Sequence, residues 1–138
     1  MSAWGTEPFD NDDVAEWTAE LSEGDLRSQL FAAVAAAADW PEDELLEIPD
    51  GVSAVAAAQV IAYLLGRDKM NQTEHTADVL GIVNQQRFTP DKELIQEAVA
   101  ALSRVQGEES ELKELWAESK HYDDWKSVVE RVKQALSA

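Results

Sequence analysis

The chain has 138 residues, of which 45% are hydrophobic and 28% charged, values typical of one folded globular domain rather than a disordered chain. It contains no cysteine, which excludes disulfides, thiolate metal sites and cysteine nucleophiles. Its net charge is −17, and residues 1–50 hold 14 acidic residues against Arg27 alone, so the field of this acidic region opposes binding to nucleic acid or anionic lipid.

The opening stretch "SAWGTEPFDNDD" places two aromatic residues ahead of an acidic cluster. We expect Trp4 and Phe9 to fold back over the helices as a plug. Gly5 permits a turn, and Pro8 stiffens the approach to the aromatic ring that follows it. Residues 1–11 are therefore predicted to be an extended segment that packs on the helices.

Helical periodicity dominates the rest of the chain. It predicts an all-α fold, a single-domain compact bundle of about six to seven short helices over residues 1–138. The first helix is expected over about residues 12–22, with Asp10 or Asn11 as its cap. Trp17 lies on the apolar stripe of this helix, so we expect it to anchor the N-terminal segment to the core.

Acidic side chains cluster in and just before this first helix. They are the candidate partner-contact residues Asp10, Asp12, Asp13, Glu16 and Glu20. Acids near a helix start also favour its positive dipole end, and surface charge of one sign keeps a small protein in solution. Helix stabilisation and solubility are therefore the alternatives to a docking role.

A second helix is predicted over about residues 25–38, followed by a loop with two prolines over residues 39–50. The loop is expected to be held down by four apolar side chains, Trp40, Leu45, Leu46 and Ile48. Asp50 is the predicted cap of a third helix over about residues 51–65. This helix is apolar nearly all round, so we expect it at the centre of the bundle.

Four more helices are predicted in the C-terminal part. One covers about residues 74–86, and the next has Thr89 as its cap and Pro90 as its first residue, ending at Gly107. A sixth begins after Ser110 and is expected to bury three side chains, Leu112, Leu115 and Trp116. The last starts near residue 123 and is expected to pack on the core through Trp125, Val128, Val129, Val132 and Leu136.

Two patterns are tested as metal sites. If Asp10 is position 1 of a calcium-binding EF-hand loop, Val14 and Leu21 occupy positions that require ligands, so the pattern fails. Glu118 and His121 have the spacing of one half of a carboxylate-bridged metal centre, but the second Glu-x-x-His pair is missing. We therefore predict no metal site.

No catalytic signature is present in the sequence. There is no Gly-x-Ser-x-Gly motif, and the six glycines do not form a phosphate-binding loop. We predict a protein that is not an enzyme and binds no cofactor. The two most apolar stretches are shorter than the roughly 20 residues needed to span a bilayer, and the N-terminus lacks a secretory signal. We therefore expect a cytoplasmic protein.

A family resemblance is carried by the stretch "AWGTEPFDNDDVAEW", residues 3–17. It resembles the opening of a family of small bacterial proteins known as domain of unknown function 4259, although Ser2 and Glu7 stand where that family commonly has glycine. Residues 56–67 and 110–136 are similar to its middle helix and its closing two helices. The resemblance implies a bacterial origin, and it implies no catalytic residue, substrate or cofactor.

These observations favour a monomer that acts through protein–protein contacts, with its acidic N-terminal surface docking on a basic protein. A more specific version is an immunity or antitoxin protein that masks a basic toxin, since complementary charge speeds association. The alternative from another class is a domain that binds a small molecule or metal ion between its helices.

Overall fold

The computed structural model describes residues 5–21 and 23–138 of the chain. Within these ranges the protein forms seven helices and no strand, which confirms the predicted all-α, single-domain fold. In chain order the helices are α1 (Asp13–Leu21), α2 (Leu26–Ala38), α3 (Ile48–Leu64), α4 (Ala77–Gln85), α5 (Lys92–Val105), α6 (Glu111–Ala117) and α7 (Tyr122–Ser137).

Helix α3 is the centre of the bundle, as predicted. Its residues from Val52 to Leu64 are buried except for Ser53 and Tyr63, because the helix has no polar face to turn toward water. It contacts α1, α2, α5, α6 and α7, and α2 also packs on α5. The alanines of α2 and α3 allow these helix axes to approach closely.

Helices α6 and α7 cover one side of α3. All five apolar side chains predicted for the last helix are buried. In α6 the prediction is confirmed for Leu112 and wrong for Leu115, which is 38% exposed because this short helix turns only one narrow stripe inward. Trp116 is half-buried and stacks on Trp125, with ring centroids 6.3 Å apart.

The start of α3 differs from the prediction. The helix begins at Ile48 after Glu47, so Asp50 is not its cap but lies in its first turn. Pro49 fits there because the N–H groups of a first turn have no partner within the helix. The Ile48 N–H is satisfied from outside, since it donates to Glu111 Oε1 at 3.0 Å.

Helix α5 also starts later than predicted. Its N-cap is Asp91, and Thr89 and Pro90 precede the helix. Pro90 is buried, and the first helical hydrogen bond runs from the Ile95 N–H to the Asp91 carbonyl at 3.1 Å. The proline therefore packs against the core just ahead of the helix.

Candidate functional site

The N-terminal segment is joined to the start of α1 by the side chain of Asn11. Its Oδ1 accepts a hydrogen bond from the Val14 N–H at 2.9 Å, and its Nδ2 donates to the Pro8 carbonyl at 3.2 Å. Asn11 is therefore the cap, of the two residues predicted for that role. Asp10 lies in the preceding turn, where its N–H donates to the Glu7 carbonyl at 3.0 Å.

Two aromatic side chains pack together where the N-terminal segment meets α1. Phe9 of the segment and Trp17 of α1 are buried, and their ring centroids are 6.3 Å apart at an interplanar angle of 41°. A Cβ atom on Gly5 would lie 2.6 Å from Asp10 Oδ2, so the glycine permits a close approach of that carboxylate. Trp4 lies outside the described residues, and its role as a plug stays a prediction.

An ion-pair cluster attaches the segment to α7. Arg131 donates to both carboxylate oxygens of Glu7, at 2.9 and 3.2 Å, and its Nε lies 3.4 Å from Asp68 Oδ2. The hydrogen bonds that Arg131 donates to Glu7 raise the pKa of Arg131, against the opposing effect of burial. The Asp68 side chain is 7% exposed, and its Oδ1 accepts from the Met70 N–H and the Gln59 amide. Glu7 thus ties the segment to the bundle.

Four exposed acidic side chains form a row along α1 and its ends: Asp12, Glu16, Glu20 and Glu23, here named the acidic ridge. Glu16 and Glu20 are one turn apart on the same side of α1, Asp12 immediately precedes the helix, and Glu23 follows its end. Within the part of the chain that the structure describes, none of them forms an ion pair or a side-chain hydrogen bond. Like charges at this spacing repel one another.

The other two predicted contact residues are less accessible. Asp10 and Asp13 are half-buried. The Oδ2 atom of Asp13 is enclosed and accepts no hydrogen bond from any described residue. The structure therefore brings Asp12, Glu16 and Glu20 together on the ridge and places Asp10 and Asp13 partly inside the surface.

An open groove with a volume of about 500 Å³ lies between α1 and the segment that leads into α4. On the α1 side it is lined by Val14, Ala15 and Ala19, and Phe9 also lines it. On the other side it is lined by Glu74, His75, Asp78 and Ile82. Sequence reasoning missed this groove, because it depends on how two helices distant in sequence are placed.

A second acidic region, the acidic loop of residues 39–47, is held in place by different contacts from those that hold α1. Arg104 is buried and donates to three of its carbonyls, those of Trp40 at 3.4 Å, Pro41 at 2.9 Å and Glu44 at 2.6 Å. It also donates to the Glu109 carbonyl at 2.8 Å. One guanidinium thus fixes the loop through its backbone.

The apolar side chains of this loop contribute less than predicted. Leu46 is buried and half-buried Ile48 opens α3, but Trp40 and Leu45 are 38% and 39% exposed, so the prediction is wrong for both. Arg104 provides the attachment that they were expected to give. Trp40 instead closes the loop on itself, since its Nε1 donates to the Leu45 carbonyl at 3.1 Å.

Two carboxyl groups at α5 have pKa values shifted in opposite directions. Hydrogen bonds from Arg27, at 2.8 and 2.9 Å, lower the pKa of Asp91 to about 2. Burial raises the pKa of Glu97, and the neighbouring Asp39 carboxylate raises it further. Arg27, the single basic residue of the first fifty, is thus engaged with α5 and not with the acidic ridge.

The residues weighed as metal ligands do not converge. Glu118 is the C-cap of α6 and His121 the N-cap of α7, so they are not on one helix face. Across residues 5–21 and 23–138, no group of three or more side chains is arranged to hold a metal ion. In the same ranges no helix has both the length and the apolar character required to cross a membrane.

The fold and site define a class: an acidic all-α domain with a row of exposed carboxylates on α1 and an open groove between α1 and α4. The family model described as domain of unknown function (DUF4259) matches residues 2–128, and the chain belongs to this family. Neither the comparison with curated proteins nor the comparison with solved structures found a match.

Proposed function

We propose that this protein is not an enzyme and acts by binding a basic protein through the acidic ridge. The observation that carries the proposal is the row Asp12, Glu16, Glu20 and Glu23, exposed and without an ion-pair partner among the described residues. Asp12 and Glu16, just before and within the first turn of α1, favour the positive end of its dipole, whereas Glu16 and Glu20 repel each other one turn apart. A basic partner would relieve that repulsion.

The field of the ridge acts mainly on the rate of association. Residues 1–50 carry a net charge of −13, and a partner of opposite charge is attracted before contact is made. Salt weakens this attraction, because the screening length is about 10 Å at 0.1 M ionic strength. An inhibitor that masks a basic toxin would gain most from fast association, and this immunity-type role is the specific form of the proposal.

The experiment compares two sets of four neutralised acids. In the first, Asp12→Asn is combined with Glu16→Gln, Glu20→Gln and Glu23→Gln. In the second, Asp43→Asn is combined with Glu42→Gln, Glu44→Gln and Glu47→Gln on the acidic loop. All eight residues are exposed, and both sets remove one aspartate and three glutamate charges.

A basic partner captured at low salt is then tested for its association rate at several salt concentrations. We expect the ridge set to slow association about tenfold or more and to flatten its salt dependence. The loop set should change the rate much less. Equal effects of the two sets, or no effect of either, contradict the proposal.

The groove between α1 and α4 supports a second candidate, the binding of a small molecule. Its volume of about 500 Å³ is within the usual range of ligand pockets. A ligand that binds only the folded state raises the melting temperature by an amount that grows with the logarithm of its concentration relative to its dissociation constant. A thermal-shift screen of cationic small molecules tests this candidate, and an unchanged melting temperature throughout argues against it.

A further inference from the structure

The groove between α1 and α4 has a mixed lining. Phe9 lies at its base but is almost fully buried, Asn11 and Thr18 are polar, and Ile82 of α4 is half-buried at its side. The α1 wall presents Ala15 and Ala19, one turn apart and both exposed. Small side chains in such a wall allow the backbone of an occupant to come close. The groove therefore suits an apolar face and not a bulky charged one.

One edge of the groove is acidic. Glu74 and Asp78 line it with exposed carboxylates on the α4 side. The residues of the acidic ridge do not line it, because Glu16 and Glu20 point about 100° further round α1 than Ala15 and Ala19, and Glu20 lines a different pocket beside Gln29. An occupant that fits has an apolar stripe with basic residues on the flank that faces α4.

The shape of the groove selects a helix. Each wall contains a helix of nine residues, which gives a length of about 13 Å, or two to three helical turns. An extended peptide is usually recognised by pairing with the edge of a sheet, and the described part of this chain has no strand to offer. An amphipathic helix needs only an apolar groove with complementary charge at its rim.

We propose that the groove between α1 and α4 receives one amphipathic, basic helix of the partner protein. This inference rests on the proposed docking function and specifies its recognition mode. Glu74 and Asp78 pair with basic residues on one flank of the helix. Half-buried Ile82 and the exposed Ala15 and Ala19 contact its apolar stripe.

The probe is a synthetic peptide with leucines on one stripe and lysines on one flank of that stripe. A peptide of about 14 residues is long enough to cover the groove. A helix of this length is only marginally stable when it is free in water. A scrambled peptide of the same composition is the control, because it keeps the charge and loses the amphipathic pattern. Dissociation constants are measured by fluorescence anisotropy at low and at physiological ionic strength.

Two variants, each with a matched control, locate the binding site. The rim variant combines Glu74→Gln with Asp78→Asn, and its control combines Glu42→Gln with Asp43→Asn on the acidic loop. The variant Ala15→Trp fills the groove, and its control places tryptophan at the exposed Ala100 of α5. Melting curves establish that all the variants are folded, which is expected because every altered side chain is exposed.

We expect the rim variant and Ala15→Trp each to weaken binding of the amphipathic peptide about tenfold or more. The scrambled peptide should bind the unchanged protein at least about tenfold more weakly. Both control variants should change binding less than about twofold. The inference is overturned if the amphipathic peptide does not bind, if rim and loop variants weaken it equally, or if Ala15→Trp has no effect. Each of these results leaves the ridge proposal standing. That proposal fails separately, if the association rate of a captured partner depends neither on salt nor on the four ridge substitutions.

Discussion

The acidic ridge and the acidic loop carry the same kind of charge on different supports. The ridge exposes one aspartate and three glutamates, and the loop exposes two aspartates and three glutamates. The backbone of the loop is fixed by Arg104, whose positive charge lies within hydrogen-bonding distance of three loop carbonyls. The ridge has no cation of this kind among the described residues.

The difference lies in how each backbone is held. The loop is held by Arg104, by buried Leu46 and by the backbone hydrogen bonds of Leu46 with Glu109 and Glu111. Helix α1 is held by the packing of Phe9 on Trp17 and by the Asn11 cap. The ridge carboxylates form no ion pair or side-chain hydrogen bond among the described residues.

The largest expected effect comes from removing the packing under the ridge. Phe9→Ala should lower the free energy of unfolding by about 3–5 kcal/mol, since the ring is buried against Trp17. Denaturant unfolding measures this loss, and Phe9→Leu, which keeps most of the volume, should lose less than about 1.5 kcal/mol. Equal stability of Phe9→Ala and the unchanged protein would show that the segment does not support α1.

A smaller loss is expected from removing the support of the loop. Arg104→Met keeps the length of the side chain but removes one hydrogen bond from each of four carbonyls, of which those of Pro41 and Glu109 keep a backbone N–H donor. We expect a loss of about 2–4 kcal/mol in unfolding free energy. Glu44→Gln is the control, because only the backbone carbonyl of Glu44 contacts the arginine. If Glu44→Gln is as destabilising as Arg104→Met, the loop is held by its side-chain charges and the contrast with the ridge disappears.

A pH-dependent effect is expected at the pair that engages Arg27. The pKa of Asp91 is lowered from 3.8 to about 2 in the folded protein, so the pair stabilises the fold above about pH 4 and this contribution is lost as the pH falls toward 2. Asp91→Asn should therefore melt at a lower temperature than the unchanged protein near neutral pH, and the difference should shrink in acid. A difference that is independent of pH would show that the charge of Asp91 is not responsible.

The smallest expected effect is a gain in stability. Glu20 is one helical turn from Glu16 with the same charge and lies in the last turn of α1, so Glu20→Gln should be more stable by about 0.2–0.5 kcal/mol at low ionic strength. Glu42→Gln is the control on the loop, where no change is expected. A loss of stability in Glu20→Gln would mean that the fold uses this ridge charge.

Elements with clear periodicity could be predicted from the sequence. The buried stripe of α7, the central position of α3 and the burial of Trp17 follow from apolar spacing alone. The starts of α3 and α5 could not, because the position of a proline is compatible with a loop, a first turn or a residue just before the helix. The outcome at Pro49 depended on distant Glu111, which accepts the N–H of the preceding residue.

The contacts that hold the candidate site in place, and the groove beside α1, could not be predicted from the sequence. The exposed acids of the ridge were visible as a stripe, but Arg104 contacts carbonyls about sixty residues away, and backbone acceptors leave no mark in a sequence. The one sequence feature that indicated burial of Arg104 was its position next to the apolar stripe of α5, beside Ala101 and Val105. The groove likewise required the placement of α4 beside α1.

The contrast between ridge and loop is tested most directly by hydrogen exchange on the complex with a captured basic partner. We expect binding to slow exchange of amides in α1 and α4 and to leave residues 39–47 unchanged, although exposed Trp40 and Leu45 would also offer a contact surface there. Protection centred on residues 39–47, with α1 and α4 unaffected, would contradict the assignment of the docking surface to the acidic ridge.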